Sequence, residues 1–168
     1  AAASLSRFGI DAGYNFIKTC LSDNYLQNVL ESVIVLTEIK TDIACKMLCD
    51  ILLDETFDAE IRAGAAWGLG EQQNKSALNA IVTSFNSVDA NIQIEAARAL
   101  AKLTKHFSND ILKTFEKAAP IEKPGIAWAL TKSTTLNLDQ LISNLKNLDS
   151  RHWVSFIIGV TRKRKVHC

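Results

Sequence analysis

No apolar stretch in this sequence of 168 residues approaches the roughly 20 residues that a helix needs to cross a bilayer. Its opening AAASLSRFGI also lacks the basic-then-apolar order of a secretory signal. These absences place the chain in the cytoplasm. Cysteine is sparse: Cys20, Cys45, Cys49 and Cys168 are scattered, and the first three fall among apolar helix positions. Reduced, buried thiols are expected, and a disulfide framework is excluded. His106, His152 and His167 share no common spacing. Cys45 and Cys49 supply only two soft ligands where a structural zinc site takes about four, so no metal is expected. A glycine-rich phosphate loop, a nucleophile elbow and paired carboxylates at a meaningful spacing are missing as well. The chain therefore offers no catalytic residue and no cofactor site, and a non-enzymatic role follows.

What the sequence does contain is repetition. DAEIRAGAAWGLG begins at Asp58, and DANIQIEAARALA begins 31 residues later at Asp89. APIEKPGIAWALT from Ala119 and DSRHWVSFIIGVT from Asp149 follow at steps of 30. Between the copies runs a second register, Leu78/Ile81/Val82/Phe85, with the i, i+3, i+4, i+7 spacing of an amphipathic helix. It recurs as Ala44/Met47/Leu48/Ile51, Ser108/Ile111/Leu112/Phe115 and Leu138/Leu141/Ile142/Leu145, with a weaker copy at Gly13/Phe16/Ile17/Cys20. Each unit reads as helix, short turn, helix. The first helix carries bulky residues, and the second carries Ala and Gly beside single large ones. Composition agrees, since 48% hydrophobic and 22% charged residues provide for one continuous core.

The turns carry their own chemistry. Asp58, Asp89 and Asp149 each precede a helical run, where a carboxylate accepts hydrogen bonds from the free N–H groups of the first turn. In the third copy Ala119 replaces the aspartate, while Pro120 and Pro124 supply a fixed φ near a helix start. That helix is expected to start late.

Ile61-Arg62-x-x-Ala65-Ala66-x-Gly68-Leu69-Gly70, preceded by an aspartate, resembles the second helix of a HEAT repeat, especially the short bacterial kind also seen in phycobilisome lyases. The 89–101 copy keeps the pattern with Gln93 in place of the arginine. The 119 copy loses the aspartate, and the 149 copy keeps only Asp149, Gly159 and the apolar rhythm. The resemblance covers nearly the whole chain and implies an all-α, right-handed α-solenoid, a HEAT-like superhelix of about five helix pairs forming one domain over residues 1–168. A single pair of about 30 residues cannot bury its own apolar face, so each copy covers the next. AAASLSRFG lines up with a second helix, and the chain stops just after another. Both ends read as uncapped, and the chain is expected to be a fragment of a longer protein.

In the family pattern the second helices line the concave surface, and the position two before the conserved Leu points into it. That position holds Trp67, Arg98, Trp128 and Ile158. One turn on, the same face carries Glu71, Lys102, Lys132 and Arg162; earlier turns carry Glu60, Asn91, Ile121 and Arg151. The resemblance thus implies a concave recognition surface of Trp67, Glu71, Arg98, Lys102, Trp128, Lys132, Arg151 and Arg162. Two Trp rings flanking a guanidinium suit stacking or cation–π contact. A helix rotated by one position would instead make Trp67 and Trp128 wedges between repeats, and Glu95 with Arg98 would form a simple surface pair. Arg62 reads as structural, in a ladder with Asp58 and Asp89.

Charge adds direction. Residues 1–84 hold 6 Lys and Arg against 11 Asp and Glu, a net of −5, and residues 85–168 hold 13 against 7, a net of +6. In a stack of repeats, sequence order is spatial order, so the two ends carry opposite fields. Arrays of this family act as scaffolds, nucleic-acid binders and occasionally enzymes. The primary expectation is an interaction module that binds a protein segment, or another domain of the parent chain, on its concave face. Nucleic-acid binding through the basic half, with the tail TRKRKVHC, is the alternative. A HEAT-like DNA glycosylase using Trp67, Glu71, Arg98 and Trp128 is a distant third, because that family's catalytic residue is typically an aspartate.

Overall fold

A computed structural model describes residues 11–23 and 25–165, and these build a solenoid of helices with no strand among the described residues. The helices are α1 (Asp11–Leu21), α2 (Leu26–Glu38), α3 (Asp42–Leu53), α4 (Ala59–Gln72), α5 (Leu78–Thr83), α6 (Ala90–Lys117), α7 (Lys123–Leu130), α8 (Leu138–Ser143) and α9 (Leu148–Lys165). Short 3₁₀ turns, Lys75–Ala77 and Ser84–Asn86, flank α5, and a third, Asn144–Lys146, follows α8. Helix α6 breaks at Phe107, where φ is −125° and ψ is 27°. Its first arm closes one repeat and its second arm opens the next. The pairs are therefore α1/α2, α3/α4, α5 with the first arm of α6, the second arm with α7, and α8/α9, five in all.

The second helices pack on one another in chain order: α4 on α2 and α6, α6 on α7, and α7 on α9. Close approach explains their composition. A Cβ on Gly70 would lie 2.8 Å from the Cα of Ala99, and one on Gly68 would lie 2.2 Å from Thr37 Oγ1. Gly64 is under no such constraint, because a Cβ there would meet only Val33 at the ordinary distance of 3.7 Å. The bulky register fills the space between layers. Leu78, Ile81, Val82 and Phe85 are all buried, as are Ser108, Ile111, Leu112 and Phe115. The terminal copies are covered less: Ile17 and Leu141 are buried, but Phe16, Leu138 and Ile142 are exposed.

The turns correct two of the three expected caps. Asp89 Oδ1 accepts the N–H groups of Asn91 at 2.8 Å and Ile92 at 3.2 Å, as its position predicts. Asp58 sits at the N-cap of α4 without a side-chain cap bond. Asp149 lies inside the first turn of α9, and its N–H is taken by Asn147 Oδ1 at 3.0 Å. In the third copy α7 does begin late, at Lys123, with Pro124 in its first turn.

The expected ladder of Arg62 with Asp58 and Asp89 does not form. Arg62 Nε donates to the Leu52 carbonyl at 3.0 Å and so ties the end of α3 to α4. Gln93 performs the same task one repeat later, its Nε2 donating to the carbonyls of Phe85 at 3.2 Å and Ser87 at 2.7 Å. An amide can replace a guanidinium there because the acceptors are carbonyls, not carboxylates. Gln72 clamps the α2–α3 connection likewise, donating to Leu36 and Ile39 carbonyls at 2.7 and 3.0 Å. No helix among the described residues is long and apolar enough to cross a membrane.

Candidate concave interaction site

The side chains expected to form one ladder separate into distinct groups. Trp67 on α4 and Trp128 on α7 remain 39% and 38% exposed. Each keeps more than a third of its surface accessible, and the rest is covered by neighbouring residues. Arg98, on the first arm of α6, has a side chain that is 62% exposed and is bound through NH1 to Glu95 Oε1 at 2.5 Å. The simple surface pair therefore exists, and it leaves the remaining guanidinium N–H groups without a protein partner among the described residues.

Arg98 and Trp128 are brought together. They face each other across a cavity of about 550 Å³ between the first arm of α6 and the start of α7. On the α6 side the wall is Ile94, Ala97 and Gln93 beside Arg98; on the α7 side it is Ile121, Pro124 and Gly125 beside Trp128. Phe85 also lines it, and the absence of a side chain at position 125 makes that possible, since a Cβ on Gly125 would lie 2.4 Å from the Phe85 ring. Trp67 does not line this cavity. Ile94 and Ile121 are exposed at its mouth. The cavity is apolar because two consecutive repeats each turn one uncovered aliphatic residue toward it.

The cations around it are in unequal states. Lys102 Nζ is joined to Glu71 Oε1, a pair that bridges two repeats. Lys132 Nζ rests over the Trp128 ring, 4.8 Å from its centroid, and has no carboxylate partner among the described residues. Arg162 and Ile158 lie elsewhere, lining a smaller cavity of about 270 Å³ with Leu136, Leu138 and Thr161. Arg151 Nε donates to the Leu145 carbonyl at 3.0 Å, repeating the tie made by Arg62.

Among the described residues no group of three or more His, Cys, Asp or Glu side chains converges. Cys45 is buried, with Sγ 3.3 Å from Ser76 Oγ. Hydrogen bonds from Cys49 and Ser76 outweigh burial and hold the Cys45 thiol at about 7, whereas the bond to Cys45 and burial push the Cys49 thiol up.

Sequence reasoning missed Phe85, Gln93, Ile94, Ala97, Pro124 and Gly125 as parts of this site. Phe85 arrives from outside the second-helix register, so counting along that register could not reach it. Ile94 had a usable signal, an isoleucine one turn before Arg98 on the same face, and the pairing of Glu71 with Lys102, both expected on this surface, had one in their opposite charges one repeat apart.

Helix pairs of about 30 residues stacked in chain order, with their second helices packed on one another, define an α-solenoid of tandem repeats. The sequence model for HEAT repeats matches residues 46–131, just over half the chain, and the chain belongs to that family. The match runs from α3 to the end of α7 and so includes both walls of the cavity. No curated protein matches the sequence.

Proposed function

We propose that this chain is a non-enzymatic, cytoplasmic interaction module that holds a protein segment or another domain against its concave face. HEAT repeats generally mediate protein interactions or scaffolding, which is the starting point. The observation that carries the reading is the apolar cavity between α6 and α7, walled by Trp128, Ile94 and Ile121. Exposed aliphatic and aromatic surface around a cavity is what a protein anchor residue fills. Trp67, Glu71, Lys102, Arg151 and Arg162 would extend the contact on either side.

Panning a library of random linear peptides against the immobilised chain tests this. Selected peptides should bind the wild type and lose about 2 kcal/mol or more on Trp128→Ala, the scale of a buried anchor, with helical content unchanged. Peptides whose binding ignores Trp128, Ile94 and Ile121 would overturn the reading.

The second reading, nucleic-acid binding by the C-terminal half, is favoured by its net charge of +6. Arg98 and Lys102 are already paired with Glu95 and Glu71, which reduces the cationic field on this face. Phosphate binding would show itself by affinity for a generic oligonucleotide that falls steeply with salt.

A further inference from the structure

The cavity between α6 and α7 carries a statement about the chemistry of its occupant, one that rests on the concave-face reading above. We infer that it accepts an acidic peptide segment in which a large apolar side chain, best an aromatic one, is flanked by carboxylates.

The apolar part follows from the walls. Ile94 and Ala97 on one side, and Ile121 and Gly125 on the other, offer no charged group, and Phe85 supplies a second aromatic ring besides Trp128. A cavity of about 550 Å³ holds a large side chain with part of its backbone. Aromatic side chains bury the most surface for the least loss of rotational freedom, and they gain further from edge or offset contact with the rings already present.

The acidic part follows from the charges at the rim. Two of the carboxylates on the neighbouring turns are held by cations: Glu95 by Arg98, and Glu71 by Lys102. Lys132 has no such partner, and Arg98 keeps free donors beyond the one bound to Glu95. The two stand on opposite walls, Arg98 on α6 and Lys132 just past the end of α7. A carboxylate before the anchor and another after it would each meet a cation, and one reaching Arg98 would accept from donors that Glu95 leaves unused. The one carboxylate here without a cation among the described residues, Glu122, already accepts from the Asn86 amide and the Ala119 N–H and lines a different cavity, so a basic segment has little to meet. Electrostatic complementarity of this kind selects partners more than it tightens them.

The experiment is the same peptide selection, scored by composition and repeated on two variants. With the wild type, enriched peptides should carry Trp, Phe or Tyr with Asp or Glu within two residues. Trp128→Ala should weaken a selected peptide by roughly 30-fold. Lys132→Glu alters an exposed side chain outside the core, so it guards against mere unfolding. It should weaken that peptide about two- to fivefold, the scale of a partly exposed ion pair, and a synthetic version with Lys in place of the acid should recover the loss.

Aromatic peptides without acidic enrichment, and indifferent to Lys132→Glu, would overturn this inference while leaving the concave-face reading intact. Peptides indifferent to both variants would overturn both. An oligonucleotide that displaces the selected peptide would assign the cationic rim to phosphate instead. Self-association of the chain that is lost in Trp128→Ala, measured by sedimentation, would make a second copy the occupant and overturn the inference as well.

Discussion

Lys123 Nζ donates to Ser150 Oγ at 2.7 Å where α7 meets α9, and both residues are enclosed, with Lys123 only 4% exposed and Ser150 fully buried. The amine also lies 5.6 Å from the centre of the Phe115 ring. No carboxylate stands within ion-pair distance of it among the described residues. In the register that holds Arg62 and Gln93, the third copy places a lysine. It reaches forward to the next repeat instead of back to its own turn. Among the described residues one hydroxyl is the only hydrogen-bond acceptor of this enclosed amine.

Ser150→Ala should therefore cost about 1–3 kcal/mol, the penalty of a buried donor left without an acceptor. Lys123→Met, which removes the donor and keeps most of the volume, should cost less than Ser150→Ala. Urea denaturation of the two variants decides it. A neutral Ser150→Ala would mean that the amine finds another acceptor, and the forward link would be void.

Arg62→Leu should cost about 1–2 kcal/mol through loss of its bond to the Leu52 carbonyl and the exposure of that acceptor. Because the acceptor is a carbonyl, the loss should be nearly equal at low and high salt. An ion pair would fade with screening. Asp58→Ala should be milder, since the Asp58 side chain makes no cap bond. A strongly salt-dependent loss at Arg62 would restore the aspartate ladder.

The same pair of residues marks what the sequence makes legible. Helical periodicity and the steps of 31 and 30 residues lead directly to five pairs, because burying an apolar stripe at a fixed spacing has few solutions. The partner of Arg62 was not legible from charge, which points to the nearest aspartates. It was legible from the change to Gln93, where the donor survives and the charge does not. Trp67 and Trp128 share a register, yet only Trp128 lines the cavity, because a cavity depends on how neighbouring helices sit. Gly125 and the late start of α7 set that geometry, and Phe85 enters it from the 3₁₀ turn after α5.

Asp54 offers a test by titration. Thr56 donates to Asp54 Oδ1 from its hydroxyl at 2.7 Å and from its N–H at 2.9 Å, and these bonds hold the carboxyl below the ordinary carboxylate value. A carboxyl whose folded pKa is depressed adds stability above the unfolded value and loses it as pH falls through the folded one. The Asp54 carboxyl, followed by NMR, should titrate below the ordinary range, and Thr56→Val should move its midpoint up by removing the hydroxyl donor. An unmoved midpoint would show that the N–H alone sets the shift.

Arg98 and Gly125 lie on the same cavity and should respond oppositely. Arg98 is mostly exposed, and its bond to Glu95 is a surface pair three residues apart on one helix, so Arg98→Ala should change folding stability by less than about 0.5 kcal/mol. Gly125→Ala drives a methyl to within 2.4–2.8 Å of three Phe85 ring atoms, and Phe85 is buried. The ring must turn or α7 must withdraw from the Ser84–Asn86 turn, at a cost of about 1–3 kcal/mol for overpacking. The shape of the cavity changes with it, because Phe85 and Gly125 both line it. Peptides selected on the wild type should bind Gly125→Ala more weakly even below its melting transition, whereas Arg98→Ala should melt with the wild type and lose only the contribution of an acidic flank. A Gly125→Ala variant with wild-type stability and undiminished peptide binding would show that Phe85 yields freely. The cavity would then owe its shape to Trp128 and the isoleucines alone.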